Sequence, residues 1–102
     1  MMTLLVAFVS GLLLFNAVPH LVQGICGKSH MTPFAPRSAA WVNIIWAWIN
    51  IVAGVVLGRF FDCCQAGPAG WIAFGLGGFV ISLYLAIFWS NPDARLPWHP
   101  KN

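Results

Sequence analysis

Residues 39–58 (AAWVNIIWAWINIVAGVVLG) run for twenty positions without a charge, between Arg37 and Arg59. An α-helix rises about 1.5 Å per residue, so this stretch is long enough to cross a hydrocarbon core of roughly 30 Å and predicts a membrane span over about 39–59. At about 100° per residue, Asn43, Ala47, Asn50, Gly54 and Gly58 fall into one narrow stripe. Trp41, Ile44, Trp48, Val52, Val55 and Val56 lie on the other side. Carboxamides at mid-bilayer cannot reach water and need hydrogen-bond partners, so the Asn stripe is expected to face other helices. Gly54 and Gly58 extend that stripe as helix-packing positions.

The rest of the chain fits the same solvent. Of 102 residues, 60% are hydrophobic and 7% charged, against about 25% charged in soluble domains. So few charges cannot cover a soluble surface. The expected fold is all-α: a single membrane domain over 1–102, with three transmembrane helices at about 2–24, 39–59 and 69–90 in a small antiparallel bundle. The net charge of +3 comes from Lys28, Arg37, Arg59, Arg95 and Lys101 against Asp62 and Asp93. These charges are scattered, which argues against a nucleic-acid face. Cys26, Cys63 and Cys64 form neither an even disulfide framework nor a spaced metal site, and the adjacent Cys63 and Cys64 read as small interfacial thiols.

The first apolar run has no positive n-region and no small-x-small cleavage site before His20, so it is expected to be retained as a helix. No charge appears until Lys28, so Pro19 should bend this helix rather than end it, which leaves Asn16 and His20 on one face. The segment 27–38 (GKSHMTPFAPRS), broken by Pro33 and Pro36, reads as a loop at the membrane surface with Phe34 dipping into the interface. A short connection with a Gly67-Pro68 turn signal leads to the third span, bounded by Trp71 and Trp89 at the aromatic belts. Gly75, Gly78, Ser82 and Ala86 line one of its faces and predict close helix packing. Asn50, about 14 Å into its span, is expected to meet Ser82. The proline-rich tail should be extended, with Trp98 returning to the interface. Four cations flank the ends shared by the 25–38 loop and the C-terminus, against Arg59 on the other side. This places loop and tail in the cytoplasm and the N-terminus outside.

Asn16, His20 and Asn43 lie within one or two turns of the same interface. Two readings stay open: a small site for a polar headgroup, a quinone or an ion, with His20 as its titratable member, or hydrogen bonds that simply tie helix ends to the loop. A bis-His haem would need a second imidazole in the membrane, whereas His30 and His99 belong to the loop and the tail. A chlorophyll-type pigment needs one axial ligand, which His20 could supply. No carboxylate lies inside a span, which speaks against proton-coupled transport. No nucleophile triad, phosphate loop or carboxylate pair is present, and no enzyme is expected.

The run NAVPHLVQGICGKSHMTPFAP, followed by WVNIIWAWIN, resembles a set of small bacterial three-span proteins of unassigned function. The matching positions are Asn16, Pro19, His20, Thr32, Pro33 and Phe34, and they cover about the first half of the chain. The resemblance implies a bacterial inner-membrane protein and supplies no activity. The function expected first is an accessory subunit of a larger membrane complex, docking through Trp41, Ile44, Trp48, Val52 and Val55. The alternative is a homo-oligomeric carrier or binding protein built around the Asn16, His20, Asn43 and Asn50 stripe.

Overall fold

The computed structural model describes residues 2–60, 67–91 and 96–98. The expectations placed on Asp62, Cys63, Cys64, Asp93, Arg95, His99 and Lys101 fall outside these residues. Among the described residues three helices are long and apolar enough to cross a membrane: α1 (Met2–Ile25), α2 (Ala40–Phe60) and α3 (Pro68–Trp89). The chain is therefore a small all-α integral membrane protein of three spans. A short hairpin, β1 (His30–Thr32) and β2 (Ala35–Ser38), stands between α1 and α2.

Local chemistry explains the ends of these elements. Pro19 lies inside α1, which continues past it to Ile25. The helix stops where Gly27 takes a left-handed conformation with φ 73°. There the Lys28 N–H donates to the Gln23 carbonyl and the Gly27 N–H to the Gly24 carbonyl, a Schellman closure that satisfies carbonyls the helix would otherwise leave open. α3 starts with Pro68 in its first turn, after Gly67 at φ 67°. Proline is well placed there, because the first N–H groups of a helix have no intrahelical acceptor.

The helices form an open layer with α1 in the middle. α1 packs along both α2 and α3, whereas α2 and α3 are not a packed pair. α2 runs antiparallel to α1: the Ser10 hydroxyl donates to the Gly54 carbonyl at 2.7 Å near one end, and Gly24 lies against Ala40 and Ile44 at the other. α3 runs in the same direction as α1 and crosses it backbone to backbone. A methyl group on Gly11 would overlap the Phe74 carbonyl, and one on Gly77 would overlap the Phe8 carbonyl. Where lipid is as apolar as leucine, such close approach supplies the van der Waals contact that holds helices together.

This arrangement corrects the expected face of the third span. Gly78 does pack, against the ring of Phe15, but a side chain at Gly75 would meet nothing, and Ser82 and Ala86 are exposed. The face turns toward Gly77 because α1 presents its own glycine, Gly11, at that depth. The expected bond between Asn50 and Ser82 is also absent, because α1 stands between their helices. Ser82 donates to the Gly78 carbonyl of its own helix at 2.7 Å, and Asn50 pairs with Asn16. On α2, Gly54 seats the Leu14 side chain and Gly58 is buried.

The glycine contacts give a direct test. Gly77→Ala places a methyl against the backbone of α1 and should destabilise the α1–α3 pair by roughly 1–3 kcal/mol, as overpacking does elsewhere. Gly75→Ala enters open space and should be neutral or stabilising by up to about 1 kcal/mol through helix propensity. Unfolding midpoints of the two variants in the same micelles check the contrast.

Candidate functional site

Ser10, Asn16 and His20 of α1 turn toward α2 and form rungs between the two helices. Ser10 bonds the Gly54 carbonyl, Asn16 donates through Nδ2 to Asn50 Oδ1 at 3.1 Å, and His20 Nδ1 lies 2.8 Å from Asn43 Oδ1. Ala17 and Ala47, both fully buried, let the helices close between the rungs. Asn50 Nδ2 donates to the Trp46 carbonyl of its own helix at 2.9 Å, which turns its Oδ1 toward α1.

Asn43 is completely buried and is the junction of this region. Its Nδ2 lies 3.0 Å from the His30 carbonyl and 3.1 Å from each of the Ser38 and Ala39 carbonyls. Three acceptors around the nitrogen leave one orientation for the amide, with Oδ1 toward His20. An amide oxygen only accepts, so the network makes His20 Nδ1 the donor and leaves the lone pair of the neutral ring on Nε2. One side chain of α2 thereby holds the end of α1, both strands of the hairpin and its own helix start.

The hairpin replaces the expected surface loop. β1 and β2 pair antiparallel through His30 with Ser38 and Thr32 with Ala35. The Thr32 and Ser38 hydroxyls meet at 2.5 Å, and the Phe34 N–H donates to Thr32 Oγ1 at 3.2 Å across the turn. Pro36, which cannot donate, is tolerated because a two-stranded sheet leaves an outer edge unpaired. The hairpin folds over the bundle end: Met31, Thr32 and Ser38 are buried, and the Trp98 indole donates to the Pro33 carbonyl at 2.7 Å. Phe34 keeps its exposure and meets the edge of Trp46 at 5.6 Å.

Folding back also corrects the place of His30. Its ring lies 5.2 Å from the ring of His20 and 4.4 Å from the indole of Trp89, so the two imidazoles expected apart are neighbours. His30 Nε2 is buried without a hydrogen-bond partner among the described residues. Burial first, and the neighbouring His20 second, hold the His30 imidazole below its usual pKa of 6.5.

Beneath the hairpin is a cleft of about 180 Å³. Asn16 and His20 of α1 are its floor, Trp46 of α2 and Ile81, Tyr84, Leu85, Phe88 and Trp89 of α3 its walls, and Met31, Thr32 and Pro33 its roof. It exists because α2 and α3 both lean on α1 and not on each other. Its size is below the roughly 300–1,000 Å³ of pockets for drug-sized ligands, so a tetrapyrrole on His20 would not be enclosed. No group of three His, Cys, Asp or Glu side chains forms a metal site among the described residues.

Two outcomes follow for this region. Asn43→Leu strands buried carbonyls and the His20 N–H, at roughly 1–3 kcal/mol for each buried group left unpaired. Asn50→Leu removes one interhelical bond, worth about 0.6 kcal/mol on average in membranes. Asn43→Leu should therefore be the more destabilising and should expose the hairpin to protease, as thermal unfolding and limited proteolysis in micelles would report. As for pH, the unfolded chain protonates His30 more readily than the folded one. Its contribution is complete above pH 6.5 and is lost as pH falls toward the lowered folded value. The hairpin should loosen on acidification below pH 6.5, read by His30 NMR shifts and Trp89 emission, and His30→Phe should flatten the response. No protein-family model, curated protein or solved structure matches this chain.

Proposed function

We propose that this chain is an accessory or structural subunit of a larger assembly in a bacterial inner membrane, docked through the outer face of α2. The observation that carries the reading is Trp48. It sits about eight residues, or roughly 12 Å, inside its span and is 54% exposed. Its indole N–H has no acceptor among the described residues, and hydrocarbon has none to offer at that depth. A neighbouring protein can supply both apolar cover and an acceptor. Ile44, Ile45, Ile49, Val52, Ala53 and Val56 form an apolar groove around it. Trp41 and Val55 are exposed on the same helix, while Ile44 also touches Gly24 of α1.

The polar stripe supports this reading over a carrier. Asn16, His20, Asn43 and Asn50 bond one another within one chain, and lining an inter-chain pore with them would require α1 and α2 to separate. The residues that carry the resemblance to small bacterial three-span proteins gather at the hairpin end, where Asn16, His20, Thr32 and Pro33 line one cleft. The excess of Lys and Arg at that end favours a cytoplasmic hairpin and tail.

Trp48→Ala should lower the yield of co-purified partner after gentle detergent extraction, with helix content and melting unchanged. Co-purification at wild-type stoichiometry would refute the docking face. Orientation has its own check: an impermeant thiol reagent added to intact cells should label Cys63 and spare Cys26, which is exposed at the hairpin end.

A further inference from the structure

The hydrogen-bond network decides what the cleft floor can offer a ligand. Asn50 Nδ2 is committed to the Trp46 carbonyl, so Asn50 Oδ1 takes the Asn16 Nδ2 donor. Asn16 Oδ1 is then left without a partner among the described residues. By the same logic Asn43 takes the Nδ1 proton of His20, and Nε2 keeps an open lone pair. Among the described residues the sealed, unpartnered side-chain atom is Nε2 of His30. Asn16 and His20 both line the cleft. The floor thus presents two acceptors side by side on α1, one turn apart, under walls that are almost wholly aromatic and aliphatic.

We propose that this cleft binds the head of a single-ring phenol or hydroquinone, with one hydroxyl donating to His20 Nε2 or Asn16 Oδ1. Size, polarity and hydrogen-bond direction converge on that class. A volume of about 180 Å³ is close to the roughly 150 Å³ in which an engineered apolar cavity holds benzene. Trp46, Tyr84, Phe88 and Trp89 offer faces and edges to an aromatic ring. Among the described residues no carboxylate lines the cleft to balance an ammonium ion, which favours a neutral donor over a cation there. His20 Nε2, an acceptor with no hydrogen to give, separates redox forms: the hydroquinone brings hydroxyl donors to it, and the quinone brings only carbonyl acceptors. The site is selective for the reduced form.

The test uses the full chain in lipid nanodiscs, with hydroquinone, benzoquinone and 1,4-dimethoxybenzene as probes of nearly equal ring size. Binding is read by the His20 side-chain NMR shift and corrected for partition into lipid. Hydroquinone should bind saturably, and the other two at least about tenfold more weakly, because they leave both acceptors unpaired. Leu85→Trp fills the cleft from α3 without touching a hydrogen bond and should abolish binding. If that variant fails to fold, Ile81→Trp obstructs the cleft from one turn earlier. A prenylated hydroquinone that binds more tightly than hydroquinone after the partition correction identifies a membrane quinol as the source. Equal affinities identify a free phenol. Equal binding of hydroquinone and its dimethyl ether, no saturable binding of any probe, or unchanged binding in a folded cleft-filling variant would overturn the proposal.

Discussion

A carboxamide buried at the edge of a membrane must find its hydrogen bonds within the protein, and Asn43 finds all of its bonds in one place. Its nitrogen gathers the carbonyls of His30, Ser38 and Ala39, and its oxygen takes the His20 N–H. The hairpin strands, at three and four residues, are too short to hold themselves. They persist because a side chain from α2 substitutes for the pairing a larger sheet would provide. The same bonds fix the His20 ring, and through it the open nitrogen on the cleft floor.

Elsewhere the bundle is held by fit. Gly11 and Gly77 bring two backbones together, Gly54 admits Leu14, and Ala17 and Ala47 close the space between polar rungs. Packing both α2 and α3 against α1 leaves the two apart, and the gap between them is the origin of the cleft. The gap has an apolar interior because α2 and α3 are apolar nearly all round, as helices surrounded by lipid are. A closed three-helix bundle would have brought Ser82 to Asn50 and left no room for a ligand. The open layer instead leaves a broad outer face on α2, with Trp48 at its centre.

Much of this architecture was legible in the residues. Charge-free runs near twenty residues dictate spanning helices because hydrocarbon cannot hydrogen-bond a backbone, so the polar groups must be satisfied locally by the helix itself. The stripe of Asn43, Ala47, Asn50 and Gly54 had to turn toward protein for the same reason applied to side chains. The continuation of α1 through Pro19 followed from the absence of charge before Lys28. The helix runs one residue past the expected end near residue 24 and stops where Gly27 takes a left-handed conformation.

The choice of partner was not a local matter. In lipid no hydrophobic force ranks one apolar helix face above another, so contacts are decided by which small residues coincide in depth on two helices. Gly75 and Gly77 are nearly equivalent in sequence, and only the position of Gly11 selects Gly77. Asn50 had two candidate partners, and the central place of α1 gave it Asn16. Pro33 and Pro36 disguised the hairpin as a loop, because its stability comes from a residue five positions beyond its end. Composition and period determined that the chain spans a membrane three times with its polar face inward. Only the tertiary fit of α1 between two neighbours decided that His30 returns to His20 and that Asn16 and His20 share a cleft.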